Sequence, residues 1–206
     1  MRYLVENFPE LINCEYEKET YKGETALHIA IVQADVESVE FLLEHGADVN
    51  NSRCIGDFFR PPKGTLYLGE HPLTFAACVD RKDKNKEMIR LLVRHGADFY
   101  NQDYFGNTIL HVLVIQDNVE MYNYIMNLFL LYRKPDSLAL DMVRNKKKRT
   151  PLSLAAALAK GAMFETIMRR RKEIFWIYGQ FFFFFFFFFF FKKKYISPLF
   201  KISSTK

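Results

Sequence analysis

Cysteine is scarce in this chain of 206 residues. Cys14, Cys54 and Cys78 are an odd number with no C-x-x-C spacing, which argues against a disulfide framework or a cysteine-built zinc site and suits a reducing compartment. The opening Met1-Arg2-Tyr3-Leu4-Val5-Glu6-Asn7 has neither the apolar stretch nor the small-residue cleavage site of a secretory leader. No HExxH, G-x-S-x-G or Walker-type glycine loop occurs, so no enzyme motif is present and no cofactor or metal is expected. Acidic residues are missing after Glu173, whereas Lys192, Lys193, Lys194, Lys201 and Lys206 all follow it. The excess of 29 basic over 24 acidic residues therefore belongs to the tail, and it is no footprint of nucleic-acid binding.

Phenylalanine, by contrast, is abundant, and half of the 22 form the unbroken run Phe181 to Phe191. With Ile174 to Gln180 in front, the run makes an uncharged stretch long enough for a membrane span. Natural spans mix Leu, Ile, Val, Ala and Gly, whereas a pure Phe run is what a T-rich DNA tract yields when translated. Residues 180–206 are accordingly expected to be translated non-coding sequence or disordered. Such a run would aggregate before it would span a membrane.

Self-similarity dominates the rest of the chain. One unit opens with Gly23-Glu24-Thr25-Ala26-Leu27-His28-Ile29-Ala30 and closes with His45-Gly46-Ala47-Asp48. A second opens with Gly69-Glu70-His71-Pro72-Leu73 and closes with His95-Gly96-Ala97-Asp98. A third opens with Gly106-Asn107-Thr108-Ile109-Leu110-His111, and a fourth with Thr150-Pro151-Leu152-Ser153-Leu154-Ala155-Ala156. The threonines suit a helix N-cap, and Pro151 suits the first helical position, where a missing N–H costs nothing. Leu and Ala at helical spacing give a narrow apolar stripe along which helices approach closely. Gly46 and Gly96 stand where a second helix must stop in a left-handed conformation. His28 and His111 are expected to bond backbone groups of adjoining units rather than hold a metal, and Cys78 to be a small buried apolar residue.

These are ankyrin signatures, which imply an all-α ankyrin-repeat solenoid of stacked helix-turn-helix units. The equivalent positions Thr25, His71, Thr108 and Thr150 stand 46, 37 and 42 residues apart, against about 33 for an ordinary repeat. Each junction therefore carries an insertion, placed in the hairpin loop because the core lies elsewhere. The expected organisation is the end of a preceding repeat and its connection at 1–22, four repeats (23–55, 69–103, 106–145 and 149–179), and the tail at 180–206.

The insertions are aromatic: Gly56-Asp57-Phe58-Phe59, then Tyr67-Leu68-Gly69-Glu70-His71-Pro72-Leu73-Thr74-Phe75-Ala76-Ala77-Cys78, then Asp103-Tyr104-Phe105-Gly106, and finally Trp176-Ile177-Tyr178-Gly179. With these loops the chain resembles the N-terminal cytosolic domain of the vanilloid-type transient receptor potential (TRPV) cation channels. Those channels have six repeats, long finger loops and a Trp-x-Tyr-Gly linker, and the forms seen here lean toward the calcium-selective epithelial or invertebrate sensory branches. The resemblance implies a domain below the pore of a homo- or heterotetrameric calcium-permeable channel at the cytosolic face of the plasma membrane. The chain alone is expected to be cytoplasmic. The finger-loop aromatics Phe58, Phe59, Tyr67, Tyr104 and Phe105 would contact a neighbouring subunit, or fold back on their own loop. Calmodulin is a further partner implied by the family, whereas no nucleotide site is carried over, because part of it lies in repeats upstream and Val32-Gln33 replaces an acidic–basic pair. Lys146-Lys147-Lys148-Arg149 reads as a solvated loop or as a contact for anionic lipid or an acidic partner. A free ankyrin adaptor is the second reading, and an enzyme bearing ankyrin repeats a remote third.

Overall fold

The computed structural model describes residues 2–59, 67–79 and 83–171, together with the backbone of 177–178 and 181–182. Its helices are α1 (Arg2–Asn7), α2 (Ala26–Gln33), α3 (Val36–Glu44), α4 (Pro72–Cys78), α5 (Asp83–Arg94), α6 (Ile109–Gln116), α7 (Val119–Tyr132), α8 (Pro151–Ala157) and α9 (Gly161–Arg171). From α2 onward they form four antiparallel pairs. The first members, α2, α4, α6 and α8, lie side by side as an inner layer, and each packs on its own second member. In the outer layer α3 contacts α5, and α7 contacts α9.

Two features of the residues make this packing possible. Ala30, Ala76, Ala77 and Ala155 are buried in the inner layer, where a small side chain lets neighbouring helices approach. Leu27, Ile31, Leu42, Phe75, Met88, Ile89, Leu92, Leu110, Leu113 and Tyr122 fill the remaining space and are almost wholly inaccessible. Burial of each such aliphatic side chain contributes about 1.5–3 kcal/mol, and α4 has so little exposed surface that Pro72 through Ala77 are all buried.

Helix ends are closed by specific bonds. Asp35 accepts from the Ser38 N–H at 3.1 Å, and Asn118 from the Met121 N–H at 2.9 Å, so α3 and α7 both start on an acceptor side chain. At the other end, Gly46 (φ +89°) and Gly96 (φ +86°) are left-handed. Their N–H groups reach Leu43 O and Val93 O, while Ala47 N–H and Ala97 N–H reach Leu42 O and Leu92 O. This is a Schellman closure. A Cβ at either glycine would meet nothing within 4 Å, so these glycines answer a need for conformation and not for space. Helices α2, α6 and α8 end in the same way on residues that sequence patterning does not flag: Ala34, Asp117 and Ala159 have φ of 54°, 60° and 55°, whereas α4 ends on extended Val79.

A second repeated device joins successive hairpins. Asn50 Nδ2 donates to Gly96 O at 2.9 Å and Asn50 Oδ1 accepts from Asp98 N–H at 2.8 Å. Asn13 brackets Gly46 O and Asp48 N–H in the same manner, at 3.2 and 2.8 Å. Each asparagine thus ties its own unit to the Gly-Ala-Asp turn of the next, an assignment missed from sequence because Asn13 lies in a segment lacking the rest of the repeat signature.

Beyond α9, Ile177 pairs with Phe182 and Tyr178 with Phe181 in a two-residue antiparallel ladder. Trp176, Gly179 and most of the tail lie outside the described residues. No helix among the described residues is long and apolar enough to cross a membrane.

The left-handed closures generate a paired expectation. Gly46→Ala should lower the unfolding free energy by about 1–2 kcal/mol through backbone strain alone. Exposed Ala159 has the opposite problem, and Ala159→Gly should raise stability by about 0.5–1 kcal/mol. Urea denaturation followed by far-UV circular dichroism measures both; equal midpoints for the two variants would contradict the account.

Candidate functional site

The inserted loops are not free arms at their bases. Ile55, Asp57 and Phe58 donate backbone N–H groups to Lys22 O, Glu19 O and Thr20 O at 2.8, 2.9 and 3.1 Å. Gly56 sits so close that an added Cβ would lie 2.3 Å from Thr20 O. Cys54 N–H donates to Glu70 O, and Lys146 N–H to Phe105 O. Successive fingers are thereby stitched together at their bases by main-chain hydrogen bonds.

Three imidazoles continue the stitching from the helices. His28 Nε2 donates to Glu70 O at 3.3 Å, His71 Nε2 to Gln102 O at 3.3 Å, and His111 Nε2 to Arg149 O at 2.9 Å. Nδ1 of His28 and of His111 accepts from the Thr25 and Thr108 N–H groups at 3.3 and 3.2 Å, with the threonine hydroxyls 3.0 and 2.9 Å away. With Nδ1 accepting and Nε2 donating, the ring is neutral. Burial holds the His28 pKa down near 4, and it lowers His71 and His111 as well. In the second unit threonine and histidine exchange places, as His71 and Thr74, yet the bond to the next finger is kept. Thr150 has Ser153 in place of histidine, and its hydroxyl accepts from the Ser153 N–H at 3.3 Å.

Polar side chains run from finger to finger beneath the surface. Arg53 Nε and Nη2 donate to Glu70 Oε2 at 3.1 and 2.5 Å, and Glu70 Oε1 accepts from Tyr104 N–H at 3.1 Å. The Tyr67 hydroxyl donates to Asp103 Oδ2 and accepts from Asn107 Nδ2 at 2.8 Å. Asn145 Nδ2 donates to Asn107 Oδ1 at 2.9 Å, extending the chain to the third finger. Burial raises the Asp103 pKa against the pull of its donors, and burial together with the Asp103 charge raises Tyr67. These groups organise the loops. No cluster of three or more His, Cys, Asp or Glu able to hold a metal occurs among the described residues.

Comparison with known proteins places the chain. The ankyrin repeat family matches residues 22–53, and the family of ankyrin repeats in many copies matches residues 73–124. The transient receptor potential cation channel subfamily V member 6 of Rattus norvegicus is 43% identical over 178 residues, which cover 85% of this chain and 23% of that protein. Member 5 of Homo sapiens is 42% identical with 85% and 24% covered, and member 1 of Canis lupus familiaris is 37% identical with 84% and 23% covered. This is a TRPV-type ankyrin-repeat domain. It spans about a quarter of the length of those relatives.

Against the TRPV resemblance, the finger-loop aromatics separate into different environments. Phe59 is 5% exposed and packs on Phe75, Tyr21 and Phe58, with ring centroids 5.1, 6.0 and 5.0 Å away. This corrects its assignment as a subunit contact, because its ring is buried in the core of its own chain. Phe58 is half-buried on Tyr21 at 5.3 Å. Tyr67 is held by its hydroxyl, and Phe105 is half-buried between Tyr67 and Tyr104. Tyr104 is 53% exposed, with the Lys146 ammonium 4.5 Å from its ring centroid. Sequence alone could not rank these rings, since burial depends on how each hairpin folds back. Arg170 and Arg171 tie the last helix to its surroundings. Arg170 bonds Asn123 and Asn127 of α7, and Arg171 Nε donates to Asp141 Oδ2 at 2.7 Å.

Two expectations follow for these fingers. Tyr67→Phe removes a donor from the buried Asp103 carboxyl and should cost about 1–3 kcal/mol in urea denaturation; a loss under 0.3 kcal/mol would mean the network does not bear on stability. The neutral imidazoles predict acid sensitivity. A histidine whose folded pKa is depressed stabilises the fold above its unfolded value of 6.5, and that contribution is lost as pH falls toward about 4. For His28 the full loss is on the order of 3 kcal/mol, and His28→Gln should flatten the stability profile between pH 6.5 and 4.

Proposed function

We propose that this TRPV-type domain is the cytosolic assembly and interaction region of a calcium-permeable cation-channel subunit, working within a homo- or heterotetramer at the inner face of the plasma membrane. The observation that carries the reading is identity of 40–43% with members 5 and 6 across 85% of the chain. A match that long includes the finger loops as well as the helix stripes that any ankyrin protein shares. The fold supports it, because a stitched stack of hairpins presents its loops from a rigid base, the arrangement in which loops serve as contact surfaces.

In this reading the finger loops grip a neighbouring subunit, with Tyr104 and the exposed edge of Phe58 as the aromatic contacts. The adjoining lysines 146–148 are exposed and form a cationic rim suited to an acidic segment or to anionic lipid. Calmodulin belongs to the same class of acidic partner.

Co-expression with the rat member 6 channel tests the proposal. The full chain should co-precipitate with the channel and reduce calcium uptake by competing for subunit contacts. Tyr104→Ala combined with Lys146→Ala should weaken the co-precipitation several-fold while leaving the unfolding midpoint unchanged. Calcium uptake unaffected by the chain, together with no co-precipitation, would remove the assembly role and favour a free adaptor.

A further inference from the structure

The extra length of the third repeat is only partly consumed by the stack, since Leu128 and Phe129 are buried but the residues after them are not. Helix α7 has 14 residues where α3 has 9, and its last turn carries apolar side chains that are exposed. Leu130 is 48% exposed, Leu131 80% and Tyr132 52%, and Leu138 in the following loop is 60% exposed. Of these, Tyr132 lines a half-open cavity of about 600 Å³, together with Phe129, Arg133 and Lys134 from the end of α7 and its loop, and its other wall is the end of α5 and its hairpin. Phe99 and Phe129 line its base, and both are almost fully buried. Their rings stand edge to face at 5.6 Å, and the Tyr100 hydroxyl bonds Leu138 O across the loop that closes the far side.

Cations outnumber acids in the lining by two to one. Arg133 and Lys134 line the cavity, and among the described residues neither side chain forms an ion pair. Asp98 is the one acid in the lining, and its Oδ1 already accepts from Tyr100 N–H at 2.9 Å. At the end of α5 the Schellman bonds at Gly96 satisfy the Leu92 and Val93 carbonyls and Asn50 Nδ2 satisfies Gly96 O, while Arg133 and Lys134 stand at the C-terminal end of α7, where cations are favoured. An apolar pocket of this volume with two uncommitted cations at its mouth has the form of a small-molecule site. The concave shape and the aromatic base favour one inserted chain over a flat bilayer, which could reach Leu131 but not Phe129.

We propose that this cavity binds an anionic amphiphile, a single acyl chain ending in a carboxylate or phosphate, with the chain along Tyr132 and over the aromatic base, and the head group between Arg133 and Lys134. The site is separate from the finger-loop contacts and does not depend on the channel reading.

The probe is dansylamino-undecanoic acid added to the full chain, with fluorescence read against concentration. Saturable one-to-one binding is expected. The double variant Arg133→Ala/Lys134→Ala should weaken it about tenfold or more, and Ser137→Trp, at the half-buried rim, should block entry. Far-UV circular dichroism shows that each variant is folded. Equal binding by wild type and both variants would overturn the proposal, as would equal affinity for the uncharged dansylamino-undecanol. Binding seen only with vesicles containing phosphatidylserine, and insensitive to Ser137→Trp, would assign the patch to a bilayer surface and reject the pocket.

Discussion

A neutral, buried imidazole reaching from one helix pair to the backbone of the next finger is the contact on which this architecture turns. His28, His71 and His111 each donate through Nε2 to a carbonyl in the following hairpin. The bond does two things at once. It satisfies a carbonyl that the close stacking has removed from water, and it sets the distance and angle between successive units. An unsatisfied buried carbonyl would cost more than a single hydrogen bond contributes, so the pairing is strongly enforced. The exchange of histidine and threonine between positions 71 and 74 shows that the reach to the next finger matters more than the order of the two residues.

From this spacing the rest follows. Once helix pairs stand at a fixed separation, alanine in the inner layer and Leu, Ile and Phe around it fill the gap, and the hairpins fall into register. The asparagines at 13 and 50 then bracket the Gly-Ala-Asp turns, and Arg53, Glu70, Tyr67, Asp103, Asn107 and Asn145 link the finger bases. Buried charge is tolerated there because each carboxylate is met by several donors. A loop held in this way is a rigid platform with an exposed edge, which is what recognition by a neighbouring chain requires.

The same rigidity separates structural from exposed aromatics. Tyr21, Phe58, Phe59 and Phe75 form a continuous ring-to-ring path from the first finger into α4, so most of that finger's aromatic content shapes the loop itself. Tyr104 ends a separate path that runs through Phe105 to Tyr67, and it keeps half its surface in water. The overhang of α7 and the loop after it add surface that stacking does not consume. Arg171 and Asp141 pin that loop to the last helix, so the cavity beneath it is held by ionic contacts as well as by packing.

Much of the fold was legible in the letters, because it rests on local rules. A left-handed helix stop favours glycine, hence Gly46 and Gly96. A capped helix start favours threonine, hence Thr25, Thr108 and Thr150, and repeated apolar spacing requires neighbours to cover it. The family was legible too, since Gly-Asp-Phe-Phe and Gly-Glu-His-Pro-Leu combine local turn chemistry with an unusual aromatic content. Which ring of a loop faces inward was not legible. Phe58 and Phe59 are adjacent and chemically identical, and only the fold-back of the first finger onto Thr20 and Tyr21 sends one to the core and leaves the other at its edge. Nor could spacing show that Ala34, Asp117 and Ala159 adopt left-handed closures, because the packing of the next helix imposes a conformation that their side chains disfavour. The cavity under α7 has the same origin: it exists where two helices of unequal length end, a difference that takes effect only when they stand side by side.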